Sequence, residues 1–333
     1  MNGITFIVPV RNDAERLCRC LRTIRANRWP DGLIDVIVAD NGSTDTSAEA
    51  ARALGATVIS LPGLRVSALR NRAAALAKTD LLAFVDADHE LGEGWVTAAV
   101  DVLGDPHVGA AGALYLPPSP GTWTQHFYGV LRGRTVGRGD TLWLGSGNLV
   151  VRRGAFNELS GFDESLETCE DVDFCQRLRS AGWRLVADER LVNVHLGDPR
   201  SLREVFVSER WRGRDNLRVS FRLRPTLRDA PSIVLPLAGA GLTIFGCAAL
   251  VAALATGRRA WWLAGLAGLA VFATAALRGL RMIYSDRISS ADWPKAYAVA
   301  LAYESGRAAS LLWPASHRHR QSISRPAPAN ERI

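Results

Sequence analysis

The chain has 333 residues, 48% of them hydrophobic, and carries 40 Lys and Arg against 33 Asp and Glu, a formal net charge of +7. That length accommodates one large α/β domain plus an appendage. The five cysteines (Cys18, Cys20, Cys169, Cys175 and Cys247) are odd in number and form no zinc-like C-x-x-C pair, which argues against a disulfide framework and for a reducing, cytosolic setting. The first apolar run is short, contains Pro9 and lacks a basic lead, so it does not read as a signal peptide.

The run Ile4-Thr5-Phe6-Ile7-Val8 stops at Pro9-Val10-Arg11-Asn12-Asp13. A continuous apolar run that ends abruptly at polar residues predicts a strand buried on both faces of a parallel sheet. Ala14, Leu17, Leu21 and Ile24 then recur at helical spacing. A second strand over 36–39 delivers Asp40, followed by the turn and cap chemistry of Asn41-Gly42-Ser43-Thr44-Asp45 and a helix over 46–54. A short strand over 57–60 and a helix opening at Val66 lead to the strand Leu81-Leu82-Ala83-Phe84-Val85. This β-α-β-α-β alternation predicts a doubly wound sheet. Ligands of such sheets sit beyond the carboxyl ends of the strands, so Pro9, Val10, Arg11, Asp40 and Asp86 are expected around one crevice. Asp86 and Asp88, one residue apart in Asp86-Ala87-Asp88, form an oxygen-rich pair suited to Mg²⁺ or Mn²⁺ held against a diphosphate.

The later part is less regular. Gly145-Ser146-Gly147-Asn148 precedes a short apolar run, and Gly161-Phe162-Asp163-Glu164 reads as a turn. Glu170-Asp171-Val172-Asp173 opens a helix, whose N-terminal dipole favours acids. A returning strand runs from Gly182 and ends near Val194-His195.

The ordered set Val8-Pro9-Val10 with Asn12, Asp40 to Asp45, Arg70-Asn71, Asp86-Ala87-Asp88, Gly145 to Asn148, Gly161 to Glu164 and Glu170-Asp171 resembles the inverting family 2 glycosyltransferases, and covers residues 1 to about 200. The resemblance implies a GT-A-like doubly wound mixed sheet of the nucleotide-diphospho-sugar transferase type. It implies that Asp40 accepts from the nucleotide base, that Pro9, Val10 and Arg11 line its pocket, and that Arg70 lies near base or diphosphate. Asp86 would face the ribose, Asp88 would hold the metal with His195 as a further ligand, Asn148 would either bind the donor sugar or shape a turn, and Asp171 would be the general base beside Glu170 on the acceptor side. A cation would stabilise the leaving diphosphate and one carboxylate would deprotonate the incoming hydroxyl, inverting the anomeric centre.

Arg210, Arg214, Arg218 and Arg222 recur every four residues, which on one helix makes a basic stripe suited to anionic headgroups. Because they abut an apolar run, nucleic-acid binding is excluded as a reading. Val207-Ser208-Glu209-Arg210-Trp211 resembles the Q-x-x-R-W element of processive polysaccharide synthases with valine in place of glutamine, which implies an acceptor-side role for Arg210 and Trp211.

No charged residue occurs from Ile233 to Thr256 or from Ala260 to Leu277. As helices these runs span roughly 36 Å and 27 Å, long enough for a bilayer core. Gly257-Arg258-Arg259 is the expected turn, and the excess of Arg and Lys outside the pair predicts both ends on the cytosolic side of the cytoplasmic membrane. A third apolar segment from Lys295 to Trp313 carries Glu304 and Arg307 and predicts an amphipathic helix at the interface.

The expected organisation is a GT-A catalytic domain over 1–204, a basic amphipathic interfacial segment over 205–230, a transmembrane helical hairpin over 231–280, an amphipathic membrane-associated helix over 281–316 and a disordered tail over 317–333. The expected activity is transfer of a sugar from a nucleotide sugar, UDP-linked, to a hydroxyl of a lipid-linked or membrane-proximal glycan acceptor, with Mg²⁺ or Mn²⁺. The alternatives are a nucleotide-sugar-binding membrane scaffold without turnover, and a sugar nucleotidyltransferase. The latter wants a glycine-rich basic loop after the first strand, where Val10-Arg11-Asn12-Asp13-Ala14 stands instead.

Overall fold

A computed structural model describes residues 1–30, 32–222, 230–256, 261–286 and 288–312. The chain forms two compact units, one of residues 1–198 with 215–226 and one of 199–214 with 227–333.

The first unit opens with β1 (Gly3–Val10), α1 (Ala14–Ala26), β2 (Leu33–Asp40), α2 (Ser47–Ala53), β3 (Thr57–Ser60), α3 (Val66–Ala74) and β4 (Leu81–Val85). It continues through β5 (His89–Leu91), α4 (Trp95–Val102), β6 (Val108–Gly112), α5 (Trp123–Arg132), β7 (Arg138–Asp140), β8 (Asn148–Arg152) and α6 (Arg153–Glu158). It closes with α7 (Glu170–Ser180), β9 (Arg184–Asp188) and β10 (Asn193–His195). Eight strands form one mixed sheet in the order β3-β2-β1-β4-β8-β6-β9-β7. β3, β2, β1 and β4 are mutually parallel, and β8 runs antiparallel to β4 and β6.

Alternate residues of the apolar strands feed opposite faces, which is why the runs do not alternate in polarity. Phe6, Val8 and Val10 pack with Leu17, Leu21 and Ile24 of α1 and with Trp95 on one face. Ile7, Leu82 and Phe84 pack with Leu69, Phe156, Phe162 and Phe174 on the other. Phe84 stands 5.2 Å from Phe156 and 5.0 Å from Phe162, ring centre to ring centre. Truncating such a buried ring costs about 3–5 kcal/mol. The parallel strands therefore end along one edge, with Val10 in register with Asp40 and Asp86 following β4.

A second, two-stranded sheet pairs β10 antiparallel with β5, and its register sets His195 opposite His89. β5 is not among the elements expected from the sequence, and the returning strand expected from Gly182 to near His195 is divided into β9 and β10.

In the second unit lie α8 (Leu202–Arg212), α10 (Ala230–Thr256), α11 (Trp261–Asp286) and α12 (Trp293–Leu312), whereas α9 (Asn216–Ser220) belongs to the first. The arginines expected along one helix are thus split by the break at Gly213. Arg222 instead pairs with Asp163 and Asp173 inside the first unit, at 2.7 and 2.5 Å. α10 and α11 have mean hydropathies of 2.1 and 1.7 over their most apolar windows and are long enough to cross a membrane. Glu304 and Arg307 of α12 turn toward neighbouring helices: Glu304 pairs with Arg278 of α11, and Arg307 lies 3.8 Å from Glu209 of α8. Arg224, Arg228, the 257–259 turn, Arg287 and the 317–333 tail lie outside the described residues.

Candidate active site

Asp86 and Asp88, expected to act together, have different partners. Arg70, buried on α3, donates from Nη2 to Asp86 at 2.5 Å and from Nη1 to Glu170 at 2.7 Å. Its guanidinium also stands 5.8 Å from the Phe162 ring centre. Burial opposes the charge of Arg70, but Asp86 and Glu170 more than offset it and hold the cation. The side chain of Arg70 is therefore spent on tying β4 to the start of α7.

Asp88 faces two imidazoles. One carboxylate oxygen lies 3.4 Å from His195 Nε2 and the other 3.8 Å from His89 Nε2, while Arg16 of α1 stands 3.7 Å away. Burial opposes the charge on Asp88, yet His195, His89 and Arg16 hold its carboxyl far below the usual carboxylate range. His195 is also nearly buried, but Asp88 and Asp198 on either side lift it to about 9. Burial and the neighbouring His195 push His89 down to about 4. Donor atoms of Asp88, His89 and His195 all lie within 4.8 Å of one another. A carboxylate oxygen and an imidazole nitrogen 3.4 Å apart stand a few tenths of an ångström beyond the roughly 3.0–3.1 Å between adjacent ligands of an octahedral cation with bonds of about 2.1–2.2 Å, and the oxygen–nitrogen mixture suits Mn²⁺ or Mg²⁺. A Cβ on Gly197 would collide with the Asp88 carboxylate, so glycine there keeps the cluster open.

Asp171 lies in the first turn of α7 and accepts from the Ser146 amide at 3.3 Å. Burial first, and then the adjacent Glu170, push its carboxyl up to about 7. Ser146 Oγ bonds Glu170 at 3.1 Å, and a Cβ on Gly147 would meet Asp86 and His89 at 3.0 Å. The loop 145–148 thus meets Asp171 and Glu170 through Ser146 and lies against Asp86 and His89 at Gly147.

At the same sheet edge, Asp40 is nearly buried and accepts from the Ser43 amide at 3.1 Å. Pro9 and Val10 end β1 beside it, and Arg11 is exposed. Asn12, with φ at 52°, accepts from the Thr44 amide at 2.7 Å and so locks the first two strand-end loops together. Asn148 is fully buried; it accepts from Trp95 Nε1 at 2.9 Å and donates to the carbonyls of Leu191 and Ala113 at 2.7 and 3.1 Å. Its amide is committed to the protein interior. Arg210 and Trp211 lie on α8 in the second unit.

Sequence reasoning did not single out His89, Asp198, Arg16 or Arg132. The only local signal was His89 directly after the Asp-x-Asp triplet; the others are isolated charges whose partners lie far along the chain.

The model of the glycosyl transferase family 2 matches residues 5–159. The stretch 5–159 thus carries glycosyl transferase family 2 sequence. The pre-mycofactocin glycosyltransferase of Mycobacterium tuberculosis is 30% identical over 196 residues, covering 55% of this chain and 40% of that protein. The chain therefore spans about two fifths of the length of that relative. Glycosyltransferase AglE of Haloferax volcanii is 25% identical over 207 residues, 59% of this chain and 67% of the relative. Among solved structures, the mannosyltransferase PcManGT from Pyrobaculum calidifontis, in complex with GDP-Man and Mn²⁺, matches with a TM-score of 0.62 at 19% identity, over 93% of this chain and 87% of that one. At that identity the likeness speaks for the GT-A fold, which the mixed eight-stranded sheet of this chain shares.

Proposed function

We propose that the chain transfers a sugar from a nucleotide sugar, UDP-linked, to a hydroxyl of a lipid-linked or membrane-proximal glycan acceptor, with inversion. The observation that carries the reading is the loop 145–148, which lies against Asp86 and His89, the neighbours of Asp88, at Gly147 and bonds Asp171 through Ser146. Leaving-group stabilisation and deprotonation are thereby offered at one crevice.

In this reading Asp40, with Pro9, Val10 and Arg11, receives the base end of the donor, and Asp86 faces the ribose. Arg70 and Glu170 hold Asp86 and α7 in place, and Asn148 shapes the pocket floor from beneath. Asp88 and His195 hold Mg²⁺ or Mn²⁺, which when bound supplies Lewis-acid stabilisation of the departing diphosphate. Asp171 takes the proton of the acceptor hydroxyl, and Arg210 and Trp211 act on the acceptor. The nucleotide sugar and Mn²⁺ bound in the Pyrobaculum structure support the donor class and the cation. The two long apolar helices support attachment to the cytoplasmic membrane, and the arginines and lysine flanking them (Arg214, Arg278, Arg281, Lys295) support a catalytic unit on the cytosolic side.

The test is release of nucleoside diphosphate from a panel of UDP- and GDP-sugars by the full chain in membranes, with Mg²⁺ or Mn²⁺ and with and without extracted lipid. Asp88→Ala and Asp171→Asn should each abolish transfer; full activity in both variants refutes the site. Donor binding without turnover in the wild-type chain would favour the scaffold alternative.

A further inference from the structure

The cluster at Asp88 contains two imidazoles, and cation chemistry needs to know which of them offers a lone pair. Hydrogen bonds to the far ring nitrogens decide this, because the nitrogen that is not committed to a proton is the one that can ligate.

His195 Nδ1 bonds Asp198 Oδ1 at 2.6 Å. A carboxylate only accepts, so Nδ1 carries the proton and Nε2, the nitrogen facing Asp88, is the one a cation can take. The Asp198 side chain is fully buried and is gripped from α5: Arg132 pairs with its other oxygen, and Gln125 Nε2 donates to its backbone carbonyl at 3.0 Å. Gln125 is itself fixed by a reciprocal cap with Thr122 at the start of α5. The Arg132 guanidinium lies 4.8 Å from the Tyr128 ring centre and 5.7 Å from that of Tyr115, which restricts its position.

His89 is arranged the opposite way. Asn193 Nδ2 reaches His89 Nδ1 at 2.8 Å and the Gly147 carbonyl at 3.2 Å. The carbonyl accepts only, so the amide nitrogen must face both, and His89 Nδ1 is an acceptor. The neutral ring then keeps its proton on Nε2, the nitrogen 3.8 Å from Asp88.

We propose that Asp198, held by Arg132 and Gln125, orients His195 as the cation's imidazole ligand, while Asn193 holds His89 in the other tautomer and so keeps it off the metal. Asp198 and Arg132 are positioning residues for the cation site, and a carboxylate behind a ligating imidazole orients the ring and raises its basicity. The inference rests on the cation reading above, which already takes His195 as a ligand, and goes beyond it in naming the residues that orient that imidazole and keep His89 off the metal.

The full chain in detergent is titrated with Mn²⁺ alone, following free Mn²⁺ by electron paramagnetic resonance and directly bound imidazole by its ¹⁴N modulation. The wild type should show ¹⁴N coupling, His195→Ala should lose it and His89→Ala should keep it. Asp198→Ala should weaken Mn²⁺ by about 10–100-fold, the usual loss for removing such a partner, with a smaller loss in the near-isosteric Asp198→Asn. Asp198→Asn alone decides the point if the alanine variant does not fold. Coupling that survives in His195→Ala, coupling that vanishes in His89→Ala, or wild-type affinity in Asp198→Asn together with any folded Asp198→Ala overturns the inference. A wild-type chain that takes up no Mn²⁺ overturns the cation reading itself.

Discussion

Asp171 combines two opposing tendencies. The N-terminus of α7 favours a negative charge there, and burial together with Glu170 disfavours it. The second tendency wins and leaves the carboxyl near 7. A general base works only when deprotonated, so turnover should rise with pH through about 7 and level off above it. Replacing Glu170 by Gln removes the neighbouring charge, and the acid limb of the kcat/KM profile should move to lower pH. A limb that stays in place would separate Asp171 from the pH dependence. The acids at strand ends and at the helix start were legible in the sequence because strand periodicity and cap position both mark where a side chain emerges. What sequence could not decide is whether an emerging polar group meets a ligand or another residue. Arg70 and Asn148 show the difficulty, since Asp86 and Glu170 occupy the first and Trp95 occupies the second. Asp198 gave no signal because its meaning depends on His195 and Arg132 together, and Arg132 lies on another element.

The elements divide by how strongly their pattern is dictated. β1, β2 and β4 are buried on both faces over most of their length, so their runs of Val, Ile and Leu stand out. β5 has three residues, too few for a period to register, and β10 reads in the sequence only as the end of a longer returning strand, yet their pairing is what sets His195 against His89. The Gly213 break between α8 and α9 was equally hidden, because the four-residue arginine spacing reads smoothly across it. The turn after β10 gives a test confined to this small sheet. Gly197 has no room for a Cβ, because the Asp88 carboxylate occupies that space. Gly197→Ala should displace Asp88, weaken Mn²⁺ by about tenfold or more, and leave the thermal midpoint near wild type, since the main cores are built from other residues. Unchanged Mn²⁺ affinity in that variant would mean that Asp88 does not need its present position.

For the molecule as a whole, the division of labour follows from which surfaces water can accept. The first unit buries its large apolar side chains in two layers on either side of the sheet. The helices α10 and α11 do not bury theirs: Ile244, Phe245, Val251 and Leu254, and likewise Leu266, Leu269 and Phe272, are each at least half exposed. Burying a side chain of this kind is worth about 1.5–3 kcal/mol, so seven of them left in water would forgo roughly 10–20 kcal/mol, on the order of a typical domain's whole stability. A lipid environment removes that cost, and the many arginines supply only a salt-sensitive supplement at the headgroups. The full chain should therefore stay in the membrane pellet after washing with high salt and with alkaline carbonate, and should be released by detergent. Release by salt alone would make the attachment electrostatic, and release by carbonate would show that α10 and α11 do not cross the bilayer. Failure of extraction by detergent, with the protein insoluble throughout, would point to aggregation rather than insertion.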